Sequence, residues 1–482
     1  MQRAAHANAP SPVALAEPIA ALAMPQSTDP TTGEPFADYA WTSDAALDAA
    51  LDRAAAAFET WRATSFAERA AVLARVADAL EADAATHGRR MTREMGKPLA
   101  QATAEAEKCA WACRVYAANA EQWLADEPRP SDGPDGSPGA RRALVAYEPL
   151  GPLLAVMPWN YPYWQAIRAA APALMAGNPV LLKHADNVLG CGDALTALFH
   201  DAGAGDAFQH LVLQTERVAG VIADDRLAAV TLTGSEAAGR AVGAQAGRAI
   251  KPCVLELGGS DAFVVLADAD LDAAVEAGVA SRTQNNGQSC IAAKRFLVEA
   301  PVAETFARRL AEAMGALTVG DPMDDGTDLG PLARRDLRDA LHDQVWRAVD
   351  EGATLALGGT VPDGEGWFYP PTVLTGVAEG GVPFREELFG PVASVTVADD
   401  AAHAVRLANA TRFGLGGSVW TDDRARGEAL ARQIRSGAVF VNAMTQSHPM
   451  LPFGGIGASG VGRELGREGA RAFTNARTLW VQ

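Results

Sequence analysis

Cysteine is scarce in this sequence. There are five in 482 residues, an odd number with no framework spacing. That excludes a disulfide-stapled scaffold and points to a reducing compartment, so a cytoplasmic protein is expected. Cys109 and Cys113 stand one helical turn apart, but no further His or Cys cluster completes a ligand set. No metal site is expected, and the pair reads as helix packing. Positive charge is short as well: Lys and Arg number 41 against 59 Asp and Glu, a formal net charge of −18. Phosphate contacts need clustered cations, so a nucleic-acid partner is excluded. Long apolar runs are missing. None approaches the ~18 residues of a membrane span, and Glu17 with Pro18 breaks the only apolar run near the N-terminus. Neither signal peptide, anchor nor membrane partner is expected. Internal repeats and long low-complexity segments are also absent.

What is present is core-forming material. A chain of 482 residues that is 49% apolar exceeds one core and implies two or three domains. Helical periodicity runs through 45–61, 67–87 and 99–124, and the polar Pro/Gly stretch 128–139 reads as a loop. Strand-like apolar runs at 153–157, 180–183, 210–214, 228–232 and 254–257 then alternate with helix-like segments. Such alternation implies an α/β protein whose parallel sheet binds ligands beyond the carboxyl ends of its strands. Asn160, Lys183, Gly234 and Glu256 all fall at or just after such ends, so they are expected to converge on one cleft.

Three short segments carry reactive groups. Cys290 closes Asn286-Gly287-Gln288-Ser289-Cys290, a polar, glycine-containing loop between apolar segments. A free thiol has a pKa near 8.5, so a useful nucleophile needs a cationic or helix-terminal setting or a nearby base. Leu255-Glu256-Leu257-Gly258-Gly259 places a carboxylate at a strand end, followed by glycines that admit close neighbours. Pro158-Trp159-Asn160-Tyr161-Pro162 ends another apolar run with a side-chain amide. Singly, a packed thiol, an ion-paired carboxylate and a turn residue account for them. Gly455-Ile456-Gly457-Ala458-Ser459-Gly460 matches G-x-G-x-x-G, yet too little chain follows for a dinucleotide fold, so a structural role is expected.

These segments, in order with Asp29-Pro30-Thr31-Thr32-Gly33-Glu34, Met95-Gly96-Lys97-Pro98, Thr233-Gly234-Ser235, Glu386-Glu387-Leu388-Phe389-Gly390-Pro391 and Pro452-Phe453-Gly454-Gly455, resemble the aldehyde dehydrogenase superfamily over nearly the whole chain. The resemblance implies an aldehyde dehydrogenase-like α/β fold. Its expected parts are a parallel-sheet NAD(P)-binding domain (1–126 and 149–257), an α/β catalytic domain (258–446) and a small oligomerisation element (127–148 and 463–482). A homodimer or homotetramer is implied, joined through a hairpin near 141–148 and the last strand near 478–481. The resemblance makes Cys290 the nucleophile, Asn160 an oxyanion donor and Glu256 the base for thioester hydrolysis. Relatives that transfer the acyl group to coenzyme A generally lack that carboxylate. It places the cofactor against Trp159, Lys183, Asp186, Gly234, Ser235, Leu257, Glu387 and Phe389, the helix opened by Gly234 and Ser235 offering backbone N–H groups to the pyrophosphate. Either NAD or NADP fits. Asp186 should repel a 2′-phosphate, so NAD is expected to be preferred.

The substrate side resembles the bacterial succinate-semialdehyde dehydrogenase branch through Tyr163-Trp164-Gln165-Ala166-Ile167-Arg168 and Leu181-Leu182-Lys183-His184-Ala185. The resemblance makes Arg168 the receptor of a substrate carboxylate, with Trp164 and Ser447 beside it. Two departures stand out: Gln284 occupies a position where some members carry a second arginine, and Ser447-His448-Pro449-Met450 lacks a charged pair. Ala292 replaces the partner cysteine of a redox disulfide, so no such switch is expected. The rival readings are a broad-specificity aliphatic or aromatic aldehyde dehydrogenase and a catalytically silent descendant of the fold.

Overall fold

Continuous apolar strands need cover on both faces, and the computed structural model provides it: helices sandwich two large, mainly parallel sheets. It describes residues 24–134 and 137–482, so the reading of the first residues as neither signal peptide nor anchor lies outside the described residues. Among the described residues no helix is long and apolar enough to cross a membrane.

The six-stranded sheet has the order Gly460–Val461, Cys253–Glu256, Ala229–Thr233, Leu153–Met157, Val180–His184, Phe208–His210. Five strands run parallel, and Gly460–Val461 pairs antiparallel at the edge. The chain leaves the central strand Leu153–Met157 toward one side and later returns on the other at Ala229–Thr233. That reversal opens a crevice at the carboxyl ends of the strands. The seven-stranded sheet has the order Thr354–Leu357, Thr372–Thr375, Val392–Ala398, Ala293–Glu299, Asp261–Val265, Gly417–Trp420, Phe440–Val441, parallel except for its first pair. A third, three-stranded sheet joins Glu127–Pro128, Arg142–Pro149 and Thr474–Val481; the last two pair antiparallel along their full length.

Two elements differ from their periodicity. The helix expected over 67–87 is two, Phe66–Ala82 and Ala84–Met95, broken at Asp83 (φ −132°, ψ 33°), whose carbonyl takes the N–H groups of Thr86 and His87. The apolar run at 210–214 is largely not strand. The strand is Phe208–His210, and Leu211 and Leu213 leave the sheet to fill the core beneath it. The glycine-rich Gly455-to-Gly460 segment forms a single 3₁₀ turn, Gly457–Ser459, and then the edge strand; the next helix, Gly466–Arg471, begins only after that strand, so the glycines do not open it.

Candidate active site

The helix Pro162–Ala176 is buried throughout, and proline in its first turn needs no N–H partner. Its next two N–H groups, of Tyr163 and Trp164, donate to one carboxylate oxygen of Glu105 at 2.9 Å each. Glu105 comes from the helix Leu99–Trp123 and forms a fully buried ion pair with Lys97, whose ammonium also sits 4.2 Å from the Tyr161 ring. This clamp explains the Met95-Gly96-Lys97-Pro98 motif: it fixes the turn that presents Asn160. The Asn160 amide is buried and donates to the Gln288 carbonyl at 3.1 Å, two residues before Cys290.

The Cys290 loop is held in a demanding conformation. Asn285 and Asn286 adopt left-handed backbone angles (φ 56° and 57°), which asparagine tolerates better than most residues. Their side chains then act as struts. Asn285 donates to the carbonyls of Asn160 and Gln288, and Asn286 donates to those of Gly96 and Pro331 while accepting from Gly330. Gly287 packs so tightly on Gly390 that a Cβ would stand 2.3 Å from its backbone. Lys294, fully buried, donates to the carbonyls of Ser289 and Cys290 (2.9 and 2.7 Å) and lies 3.3 Å from Glu387. Desolvation pushes the Cys290 thiol up to about 12, although Arg168 and Lys294 pull it down. The resting group is therefore a thiol, not a thiolate.

Glu256 ends its strand with both carboxylate oxygens buried and unbonded. Desolvation first, and Glu464 second, hold its pKa well above the ordinary carboxyl value; Arg168 opposes them. Gly454 makes room for it, since a Cβ there would stand 2.4 Å from a Glu256 oxygen. Arg168 is ion-paired with Glu464, contacts Thr233 at 3.3 Å and stacks over Phe453. Its charge is thus largely balanced within the protein, which the sequence did not reveal.

A cavity of about 290 Å³ brings Cys290, Arg168, Trp164 and Ser447 onto one wall, together with Gln165, Gln284 and Lys108. Lys108 escaped the sequence reading because a lysine on an amphipathic helix reads as surface. Asn160 and Glu256 are not among the residues that line it; the Asn160 amide reaches the Cys290 loop at the Gln288 carbonyl, and Arg168 acts on Glu256 through its charge. His448 stacks edge-on against Trp111.

A second cleft, of about 1180 Å³, lies at the reversal of strand order. Trp159, Lys183, Asp186, Gly234 and Ser235 line it, as do Arg334 and Trp367 from beyond the Cys290 loop. Its size, its place beyond the strand ends and the helix N-terminus at Ser235 fit a dinucleotide. Two details differ from expectation. The Gly234 N–H is donated to the Glu256 carbonyl at 2.9 Å, and the Ser235 hydroxyl caps the helix Glu236–Arg248 at Ala238, so the Gly234 N–H is already spent inside the protein. Asp186 accepts from Lys183 at 2.7 Å, so it is not a bare carboxylate. Leu257 packs against Gly239 in the core. Glu387 accepts the Gly259 N–H at 3.1 Å, an approach that Gly258 permits by lacking a Cβ. Phe389 meets Trp159 edge-on at 5.7 Å. Among the described residues no cluster suited to a metal ion occurs, and all five cysteines are free.

A thiol loop, a buried carboxyl and a dinucleotide-sized cleft between two parallel sheets define an oxidoreductase of the aldehyde dehydrogenase type. The model of the aldehyde dehydrogenase family matches residues 22–479, and the chain belongs to that family. It is 52% identical to the succinate-semialdehyde dehydrogenase [NADP(+)] of Mycobacterium avium (strain 104) over 464 residues, covering 95% of this chain and 97% of the relative. Identity is 50% over 460 residues with succinate-semialdehyde dehydrogenase [NADP(+)] 1 of Mycobacterium tuberculosis (strain H37Rv), covering 95% and 100%. The crystal structure of succinic semialdehyde dehydrogenase from Streptococcus pyogenes in complex with NADP+ superposes with a TM-score of 0.91 at 35% identity, covering 95% of this chain and 99% of that one.

Proposed function

We propose that this enzyme oxidises succinic semialdehyde to succinate. The observation that carries the reading is the cavity at Cys290: its wall holds Lys108, with no carboxylate within 4 Å among the described residues, and Arg168, already paired with Glu464, while its one carboxylate, Glu105, is spent on Lys97. Such a cavity suits an aldehyde that carries an anionic end. The naming of both mycobacterial relatives supports it.

Bound nicotinamide dinucleotide supplies the hydride acceptor; Trp159, Lys183, Ser235, Glu387 and Phe389 are the residues that would hold it. The Cys290 sulfur gives up its proton to water and bonds to the aldehyde carbon as the carbonyl π bond opens, and the Asn160 amide and the Cys290 N–H donate to the resulting oxyanion. Preorganised donors of this kind lower the barrier by roughly 3–4 kcal/mol each. Oxidation leaves a thioester on Cys290. Glu256 takes a proton from water, whose oxygen attacks the thioester carbon and releases the carboxylic acid and the thiol. Because desolvation raises the Glu256 pKa, the hydrolytic step quickens as pH rises and the carboxyl ionises.

The expected preference for NAD is not supported. The relatives carry NADP(+) in their names, and here Lys183 balances the Asp186 charge that was to repel a 2′-phosphate. We read the enzyme as an NADP user. The outer edge of Thr474–Val481, with Trp480 about half exposed, supports a homo-oligomer, and five free cysteines support a cytoplasmic setting.

Absorbance of the reduced cofactor, followed with succinic semialdehyde and butanal and with NADP and NAD, tests the reading. A kcat/KM for succinic semialdehyde at least about tenfold above that for butanal is expected, from the energy of one charge-assisted contact. Equal values would return the enzyme to broad aldehyde oxidation, and no reduction of either cofactor would leave a silent member of the fold.

A further inference from the structure

We propose that Lys294 is a positioning residue of the oxyanion site: by holding the Ser289 carbonyl it aims the Cys290 N–H at the aldehyde oxygen, and by its charge it strengthens that donor and draws the thiol toward thiolate. The inference rests on the reading of Cys290 as the nucleophile and deepens it. Lys294 stands near the start of the strand Ala293–Glu299 and is fully buried. Its ammonium turns back under the loop, donating to the carbonyls of Ser289 (2.9 Å), Cys290 (2.7 Å) and Ala292 (3.3 Å) and lying 3.3 Å from Glu387. All four partners are acceptors. A neutral amine would turn a lone pair toward them, whereas the ammonium offers three N–H groups and no lone pair.

Peptide geometry carries the consequence. A trans peptide sets its C=O and N–H in opposite directions, and among the described residues no peptide is cis. The Ser289 carbonyl points to Lys294, so the N–H across that bond, which belongs to Cys290, points away from the lysine. Among the described residues this N–H has no acceptor, whereas its loop neighbours Gln288 and Ala292 donate to the carbonyls of Asn285 and Ser289. A fixed, unpaired donor beside the reactive sulfur is what a developing oxyanion needs. A cation on the acceptor side of the same peptide polarises it and strengthens the donor. Arg282, also fully buried, donates to the carbonyls of Gly287 and Ala293. It braces the ends of the loop, while Lys294 grips the peptide that bears the oxyanion donor. The charges acting on the sulfur come from four elements: against desolvation, Arg168 and Lys294 favour the thiolate, and Glu387 and Asp261 oppose it. Burial lowers the Lys294 pKa and Arg282 adds to this, but Glu387 and Asp261 hold the proton on.

The test compares the parent with Lys294→Met, which removes charge and hydrogen bonds together, and Lys294→Gln, which keeps a donor for one carbonyl without the charge. Two rate constants are read per folded chain: reduction of NADP in a single turnover, with enzyme in excess over succinic semialdehyde, and alkylation of Cys290 by iodoacetamide in the cofactor-free enzyme from pH 7 to 9. Single-turnover reduction should slow by about 10- to 100-fold in Lys294→Met and by less in Lys294→Gln, a cost below that of deleting an oxyanion donor outright. Alkylation should fall by roughly three- to tenfold at every pH in both variants, because losing a nearby cation raises the thiol pKa and lowers the thiolate fraction. Denaturant unfolding fixes the folded fraction, and Lys294→Gln carries the test alone if Lys294→Met does not fold. A merely structural lysine would lower stability and leave both rate constants at the parent's values; that result in Lys294→Gln overturns the proposal and leaves the nucleophile reading intact. A parent that still turns over once Cys290 is fully alkylated would overturn the nucleophile reading itself, and the role of Lys294 with it.

Discussion

At the scale of the residue, the site is chemically quiet until it is engaged. The thiol at about 12 and the raised pKa of Glu256 both follow from desolvation, the largest cause for each. Alkylation of Cys290 by iodoacetamide in the cofactor-free enzyme should therefore climb by roughly tenfold per pH unit from 7 to 9, following the thiolate fraction. A plateau near pH 7 would show a thiol activated in advance. Replacing Asn160 with Ala should cost about 10²- to 10³-fold in kcat, the ordinary cost of one oxyanion donor; a loss under threefold in steady-state assays would remove it from that role. The nucleophile, base and amide were readable because each ends a segment whose neighbours are unusual for a core. Lys108 and Lys294 were not, because nothing in a helix-borne or strand-borne lysine distinguishes a cavity or a buried strut from a solvated surface. Nor could sequence show that Arg168 is neutralised by Glu464, almost three hundred residues away along the chain.

At the scale of the element, the parallel strands at 153–157 and 180–184 announced themselves by continuous apolar runs, which only a sheet covered on both faces accommodates. Where the periodicity misled, a local hydrogen bond or a buried loop residue decided: Asp83 splits one helical pattern, and Leu211 with Leu213 is apolar for the core without being strand. The clamp of Lys97 and Glu105 connects two such elements. Lys97→Met leaves a buried carboxylate without its cation, so it should destabilise the protein by about 3–5 kcal/mol. Lys97→Met with Glu105→Gln should lose less, because the glutamine still accepts the Tyr163 and Trp164 N–H groups without a charge. Denaturant unfolding of the two variants beside the parent checks the order; a double variant less stable than the single would contradict it.

At the scale of the whole molecule, the chemistry depends on convergence. Asn160 and Glu256 end strands of one sheet, whereas Cys290 precedes a strand of the other, and residues 447–462 cross between them. The third sheet leaves the outer edge of Thr474–Val481 unpaired among the described residues, so light scattering should find a dimer or tetramer, and Trp480→Asp should shift it toward monomer. An unchanged mass would place the interface elsewhere. The convergence itself is tested most directly by trapping the acyl group. Glu256→Gln, mixed with NADP and succinic semialdehyde and quenched in acid, should show by intact-protein and peptide mass spectrometry up to one succinyl group per chain, on Cys290, with reduced cofactor released in a burst that then stalls. Sustained turnover with no adduct, or an adduct on another residue, would contradict the account.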